Sequence, residues 1–298
     1  MREVHKRIGV AASGDITVLI QGETGTGKEL VAGAIHRYSD RSKRPFVAVN
    51  CAAIPRELLE SELFGHVKGA FTGAVQPRPG KFREANSGTL FLDEIGDMNL
   101  EMQAKILRVL QDKVVSPVGG QSSQQVDVRI VAATHQDLPK KIEEGRFRQD
   151  LFFRLNVLSI RLPPLRERGS DILLLAEHFL PMAGDPRKSL SAAAAKRLLE
   201  HAWPGNVREL ENVIRSASLA VRGSIIDAAD LQLTHPSSEP ESRIDDLLEL
   251  DYYSAISRLE KLLLERALAK ANGNRAEAAR LLKIHRQLLY AKLKEHGL

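Results

Sequence analysis

Five short apolar runs punctuate the first half of the chain, at 16–20, 45–49, 88–92, 128–133 and 157–161. Between them apolar residues recur at helical spacing, as at Leu30, Val31 and Ile35. Apolar strands alternating with helical patterns predict an α/β fold, a parallel sheet flanked by helices. Pro163-Pro164 ends that rhythm. From Asp171 to about Leu233 the pattern is helical: 171–183, 191–201 behind Ser191 as a candidate N-cap, and 206–221. Thr234 to Ser242, rich in Pro, Ser and Glu, reads as a linker, and two helical segments with a basic end follow. The expected organisation is an α/β subdomain over 1–165, a helical subdomain over 166–233, a linker over 234–250 and a small all-α domain over 251–298. No internal repeat is evident.

Composition adds exclusions rather than an assignment. The chain has 298 residues, 43% hydrophobic and 27% charged, enough for two or three domains with real cores. No apolar run approaches the length of a membrane span, and Met1 to Lys6 carries no apolar signal region, so a cytoplasmic location is expected. The one cysteine, Cys51, excludes an internal disulfide; its place at a strand end reads as a buried, inert thiol. A net charge of +5 identifies no partner.

Candidate chemistry begins behind the first apolar run. Gly22, Glu23, Thr24, Gly25, Thr26, Gly27 and Lys28 spell G-x-x-x-x-G-K between a strand and a helix, the layout of a phosphate-binding P-loop. The glycines let backbone N–H groups turn toward phosphate oxygens, the helix N-terminus adds positive charge, and Lys28 reaches the outer phosphates. Glu29 stands where Ser or Thr normally touches Mg²⁺, so the metal is expected to lie on phosphates, water and another carboxylate. The run from Gly88 supplies that carboxylate, ending in Asp93 and Glu94 at the sheet edge where ligands of open α/β folds bind. Asp93 is the candidate Mg²⁺ partner, and Glu94 the candidate base for the attacking water. Without the P-loop the pair would read as a solvated turn.

Four further positions keep two readings each. Asn50 ends the preceding strand and either holds Glu94 or satisfies a local turn. Thr134 and His135 end another strand, where polar groups either sense a γ-phosphate or close a turn. Arg148 and Arg154 are either solvated or offered to the phosphates of a neighbouring subunit. Arg208 follows Trp203-Pro204-Gly205-Asn206, a helix start with Asn206 as cap. An arginine in a first helical turn opposes the helix dipole, a cost relieved by Glu209, Glu211 or a bound nucleotide.

The C-terminal end is a DNA-binding candidate. Asn274 caps a helix over 275–282, a turn runs through Lys283-Ile284-His285, and Arg286 begins a second helix ending near Glu295. Ala278, Ala279, Leu282, Ile284, Leu289 and Leu293 give a two-helix core, and from Asn272 onward six Lys/Arg face two acids. Two helices on a short turn suit reading of the major groove by the second. Arg275, Arg286, Gln287, Tyr290 and Lys292 are the candidate contacts. The preceding helix, with Ile256, Leu259, Leu262, Leu263 and Ala267, reads as a dimerisation helix or as simple packing.

Assembled, these pieces resemble the AAA+ transcription activators of the sigma-54 form of bacterial RNA polymerase, the bacterial enhancer-binding proteins. The resemblance covers nearly the whole chain. It is most specific at Glu62-Leu63-Phe64-Gly65-His66 followed by Gly69, Ala70, Phe71, Thr72, Gly73 and Ala74, a hexapeptide matching the family's sigma-factor loop. It implies a P-loop AAA+ sheet, an α-helical lid and a Fis-type helix-turn-helix. It makes Gly22 to Glu29 the Walker A element, Asp93 and Glu94 Walker B, and Asn50 the switch partner of the glutamate. It places Thr134 at the first sensor, Arg208 at the second, and Arg148 and Arg154 at the arginine fingers. Val115 to Val126 resembles a second surface loop moving with the first.

The implied activity is hydrolysis of ATP, with Mg²⁺, in a self-associated ring, usually a hexamer. The ring is bound to upstream double-stranded DNA and remodels closed sigma-54 polymerase complexes into open ones. A nucleotide-gated DNA-binding regulator without promoter opening is the alternative. His135 departs from a position often Asn in the family. Lys283 stands where the helix-turn-helix usually has Gly, so a positive φ there would cost roughly 1 kcal/mol. Met1 falls inside the family's short upstream segment, which leaves an incomplete adenine pocket as the expectation.

Overall fold

A computed structural model describes residues 1–71, 74–120, 122–182, 187–233, 251–271 and 274–296. Thr72 and Gly73 of the hexapeptide and the linker over 234–250 lie outside the described residues. The chain divides into two compact units, Met1–Leu233 and Thr234–Leu298.

The first unit is built on a five-stranded, all-parallel sheet of β1 (Val18–Gln21), β2 (Phe46–Asn50), β3 (Thr89–Asp93), β6 (Arg129–Thr134) and β7 (Leu158–Arg161). The strand order is β2-β3-β6-β1-β7, and a small antiparallel pair, β4 (Val114–Val115) and β5 (Gln124–Gln125), stands apart. Side chains alternate between two cores, as pleating requires. Leu19, Leu90, Leu92, Ile130 and Ala132 enter one face; Val18, Ile20, Phe91, Val131 and Ala133 enter the other.

Helices α1 (Arg2–Ala12) and α2 (Lys28–Arg37) supply Val4, Ala11, Val31 and Ile35 to the second face. The first face is covered from α3 (Arg56–Phe64), α4 (Lys81–Glu84), α5 (Leu100–Asp112), α6 (Leu138–Glu143) and α7 (Gln149–Leu155). Observed strands begin one or two residues later than the apolar runs, and all but β7 also end one residue later. A strand buried on both faces has no polar alternation to mark its ends. Helix α1 has no counterpart in the sequence reading; buried Arg129 donates to Ala11 O at 2.6 Å near its C-terminus.

The lid has its own core around Trp203, Leu198, Leu210 and Ile214. It comprises α8 (Asp171–Met182), α9 (Ala192–Glu200) and α10 (Asn206–Ala220). Ser191 caps α9 as expected, accepting the Ala194 N–H at 3.0 Å. The lid is not wholly helical: β8 (Ser189–Leu190) pairs in parallel with β9 (Ile225–Ile226). Two-residue strands are too short to show a period.

In the second unit, α11 (Tyr252–Lys270), α12 (Arg275–Leu281) and α13 (Arg286–Glu295) close around Leu264, Ala267, Ala278, Ala279, Leu289 and Leu293. Asn274 caps α12 through Ala276 N and Glu277 N, at 3.0 and 3.3 Å. Ile256, Leu259 and Leu263 of α11 stay exposed. No described helix is long and apolar enough to cross a membrane.

Candidate nucleotide site

Because the sheet is parallel, β1, β2, β3 and β6 all deliver their C-terminal ends to one edge. Gly22 to Gly27 turns there from β1 into α2. Gly25 and Gly27 take φ of 79° and 98°, and a Cβ on Gly25 would lie 2.3 Å from Gly205 O, so both conformation and space demand glycine. Thr26 closes the loop on itself, its hydroxyl donating to Glu23 O at 2.7 Å.

Lys28, Glu29, Asp93, Glu94 and Arg208 line one cavity of about 310 Å³ together with Thr24, Gly25 and Gly27. Lys28 Nζ donates to Gly22 O at 3.0 Å and pairs with Glu94 Oε1 at 3.1 Å. Glu94 itself holds φ 53°, a left-handed conformation found at strained functional positions. Its Oε2 accepts the backbone N–H of His135 at 3.1 Å and lies 2.7 Å from His135 Nδ1. Burial pushes the Glu94 carboxyl up, but the His135 hydrogen bonds and the Lys28 charge outweigh it and hold it below the usual carboxylate range. Asp93 is pushed up by burial and by the adjacent Glu94 charge, with Lys28 opposing. The Asp93 Oδ1 atom is buried without a hydrogen-bond partner. An orphaned carboxylate oxygen beside a phosphate loop fits a hard divalent cation such as Mg²⁺.

Other expected site residues lie apart from this cavity. Asn50 faces Asp93 rather than Glu94: its Nδ2 is 3.5 Å from Asp93 Oδ2, and its Oδ1 accepts Ala52 N and Ala53 N at 3.0 and 3.1 Å. The side chains that hold Glu94 are His135 and Lys28. Thr134 is buried, with its hydroxyl accepting Gln136 N at 3.1 Å and its carbonyl accepting Gly22 N at 3.2 Å. Arg148 precedes α7 and pairs with Asp150 at 2.7 Å. Arg154 donates to Leu110 O at 3.2 Å and lines a separate cavity of about 260 Å³ beside Thr17, Arg129 and Val157, at the starts of the strands. Asn206 does not cap α10. Gly205 takes the cap position, its N–H donated back to Glu209 Oε2 at 2.8 Å. Cys51 is buried, and burial pushes its thiol well up.

Two glycine backbones cross at the base of the segments that lead to the hexapeptide. Gly65 and Gly80 take φ of 80° and 81°, and a Cβ on Gly80 would lie 2.2 Å from Gly65 N. Gly69 N donates to Ala74 O at 2.9 Å, and Phe71, 39% exposed, packs its ring edge-on to His66 at 5.1 Å. The second loop is joined to the first: Val67 N donates to Val118 O at 3.1 Å, and Gly119 lies under Ala70.

In the second unit Arg275, Arg286, Gln287 and Tyr290 are exposed, with the Arg275 guanidinium 5.6 Å from the Tyr290 ring centroid. Lys292 is instead half-buried, paired with Glu260 at 2.7 Å and Glu295 at 3.2 Å.

A phosphate loop facing a strand-end acid pair under a helical lid defines a P-loop nucleoside triphosphatase of the AAA+ type. Family profiles match along almost the whole chain: the Sigma-54 interaction domain over residues 1–161, the AAA+ ATPase lid domain over 166–246 and the bacterial regulatory protein, Fis family, over 255–296. The chain belongs to the sigma-54-dependent transcription activators, AAA+ ATPases with a Fis-type DNA-binding end. It is 48% identical to the DNA-binding transcriptional regulator NtrC of Salmonella typhimurium, across 100% of this chain and 69% of that protein. The structure of NtrX from Brucella abortus in complex with ATP is similar, with a TM-score of 0.74, 36% identity and coverage of 100% of this chain and 68% of that one. RuvB of Thermotoga maritima, 14% identical with a TM-score of 0.53 over 100% and 88% of the two chains, shares the fold.

The sequence reading missed the groups that hold these parts. His135 stood out as a strand-end polar group and as a departure from the family, not as the residue that holds Glu94. Arg166 and Arg168, which grip the P-loop from outside, gave no signal, and Asn206, whose amide does the same, was read as a helix cap. Their partners lie far away along the chain.

Proposed function

We propose that the Lys28–Glu94 cavity hydrolyses ATP, with Mg²⁺, and that the chain acts in a ring, most simply a hexamer, in the cytoplasm. The carrying observation is the 3.1 Å Lys28–Glu94 pair beside the partnerless oxygen of Asp93. Incoming phosphates compete for Lys28 and so release Glu94, held below the usual carboxylate range, to accept a proton from the attacking water. Lys28 and Arg208 then stabilise phosphate charge. Asp93, with phosphates and water, would hold Mg²⁺, which supplies further charge neutralisation when bound. Crystals of NtrX with ATP and with ADP support the choice of nucleotide.

A ring explains why Arg148 and Arg154 stand outside the cavity of their own chain. Offered to the neighbour's phosphates, either would complete the site in trans. The joined loops around Phe71 and Val118 would carry the stroke to the sigma factor while Arg275, Arg286, Gln287 and Tyr290 hold upstream DNA, converting closed polymerase complexes into open ones.

Glu94→Gln tests the reading. It keeps the size and one acceptor oxygen but removes the base, so hydrolysis should fall about 10²- to 10⁴-fold with ADP affinity retained. Equal rates in parent and variant would overturn the mechanism and favour a nucleotide-gated DNA-binding regulator.

A further inference from the structure

Asn206 has no solvent exposure and holds φ 53°, a conformation that asparagine tolerates better than most residues. Its side chain joins three segments distant in sequence. The Oδ1 atom accepts Leu165 N at 2.7 Å; the Nδ2 atom donates to Thr24 O at 3.0 Å and to Glu23 Oε2 at 3.1 Å. The Glu23 carboxylate is turned away from the Lys28 cavity, accepting from Arg166 Nη2 and Nη1 at 2.6 and 2.9 Å. One residue on, Gly25 O accepts the Val207 N–H at 3.0 Å, and Thr26 O accepts Arg168 Nη2 at 2.9 Å. Every residue from Glu23 to Thr26 is thus tied to the lid or to the segment leading into it.

We infer that Asn206, Glu23 and Arg166 are positioning residues that fix the lid to the phosphate loop, and so set Arg208, two residues beyond Asn206, over the nucleotide. An amide is needed at 206 because the group must accept from Leu165 and donate to Glu23 at once; neither Asp nor Ala does both. Exposed ion pairs contribute little as a rule, but a bidentate Arg–carboxylate pair anchored to a buried amide is the geometry in which they matter. This inference rests on reading the Lys28 cavity as the nucleotide site.

The test measures ADP dissociation constants, together with kcat and KM for ATP, on the full chain. Asn206→Asp keeps the acceptor for Leu165 but sets a second carboxylate against Glu23. Asn206→Asp and Arg166→Ala should each weaken ADP binding and raise KM by about tenfold, as expected for loss of a charge-assisted hydrogen bond, with kcat changing far less. Glu23→Gln combined with Arg166→Ala should be no worse than Arg166→Ala alone, since both cut one tie. Arg166→Lys should recover part of the loss. ADP affinity and KM within about twofold of the parent, or additive effects for the Glu23–Arg166 pair, would overturn the tie. Should Asn206→Asp fail to fold, the Glu23–Arg166 cycle decides alone. A parent that binds no ADP sinks the nucleotide-site reading instead.

Discussion

Lys283, between α12 and α13, holds φ 56° while its N–H donates to Arg280 O at 3.1 Å. A left-handed L-residue costs about 1–2 kcal/mol, and glycine returns part of that gain as extra freedom in the unfolded chain. Lys283→Gly should therefore stabilise the C-terminal unit by roughly 0.5–1 kcal/mol, seen as slower hydrogen exchange of α12 and α13 amides in the full chain. Faster exchange would mean that the lysine side chain offsets the strain. This liability was legible because the helix-turn-helix that the chain resembles usually has Gly at this position. Glu94, Asn206 and Trp203 also take positive φ, and none of them was legible. Their conformations are held by distant partners, such as His135 for Glu94 and Thr24 for Asn206, which no local spacing displays.

Elements were easier to read than their junctions. Apolar runs placed the five sheet strands within a residue or two; Lys28 followed from the phosphate-loop motif, and Asp93 and Glu94 because parallel strands send their C-terminal ends to one edge. Helix α1 escaped because Val4, Ile8 and Ala11 are a thin apolar stripe among charged residues. The loop that carries Phe71 was visible as a motif, yet its foundation was not. A Cβ on Gly80 would meet backbone atoms of Phe64 and Gly65 at 2.2–2.9 Å, and one on Gly65 would meet Arg78 O at 2.3 Å. Backbone cannot swing aside as a flexible side chain can. Gly80→Ala should cost about 1–3 kcal/mol and lower the melting temperature. Binding to the sigma factor should weaken more than ATP binding does, because the crossing seats the loop and lies apart from the Lys28 cavity. An unchanged melting temperature would show that the crossing opens freely.

At the scale of the whole chain, charge must be assigned from pairing rather than composition. The six Lys/Arg counted from Asn272 onward include Lys292, which the fold engages with Glu260 and Glu295. Its ammonium charge stays on the protonated side because both carboxylates favour it, and Lys292 in turn holds the Glu260 carboxyl below the usual range. Arg286, at the first turn of α13, is exposed and has no acidic partner within salt-bridge distance among the described residues. A cation free in the unbound protein releases counterions from DNA when it docks on a phosphate; one already neutralised by carboxylates releases fewer. Arg286→Ala should thus reduce the slope of log K against log salt by about one, and Lys292→Ala by clearly less, in anisotropy titrations with a duplex carrying the site. Lys292→Ala should instead loosen the packing of α11 on α13, where Glu260 would lose its 2.7 Å partner. Equal slope losses for the two variants would return Lys292 to the DNA-facing side and make its pairing with Glu260 a feature of the free protein alone.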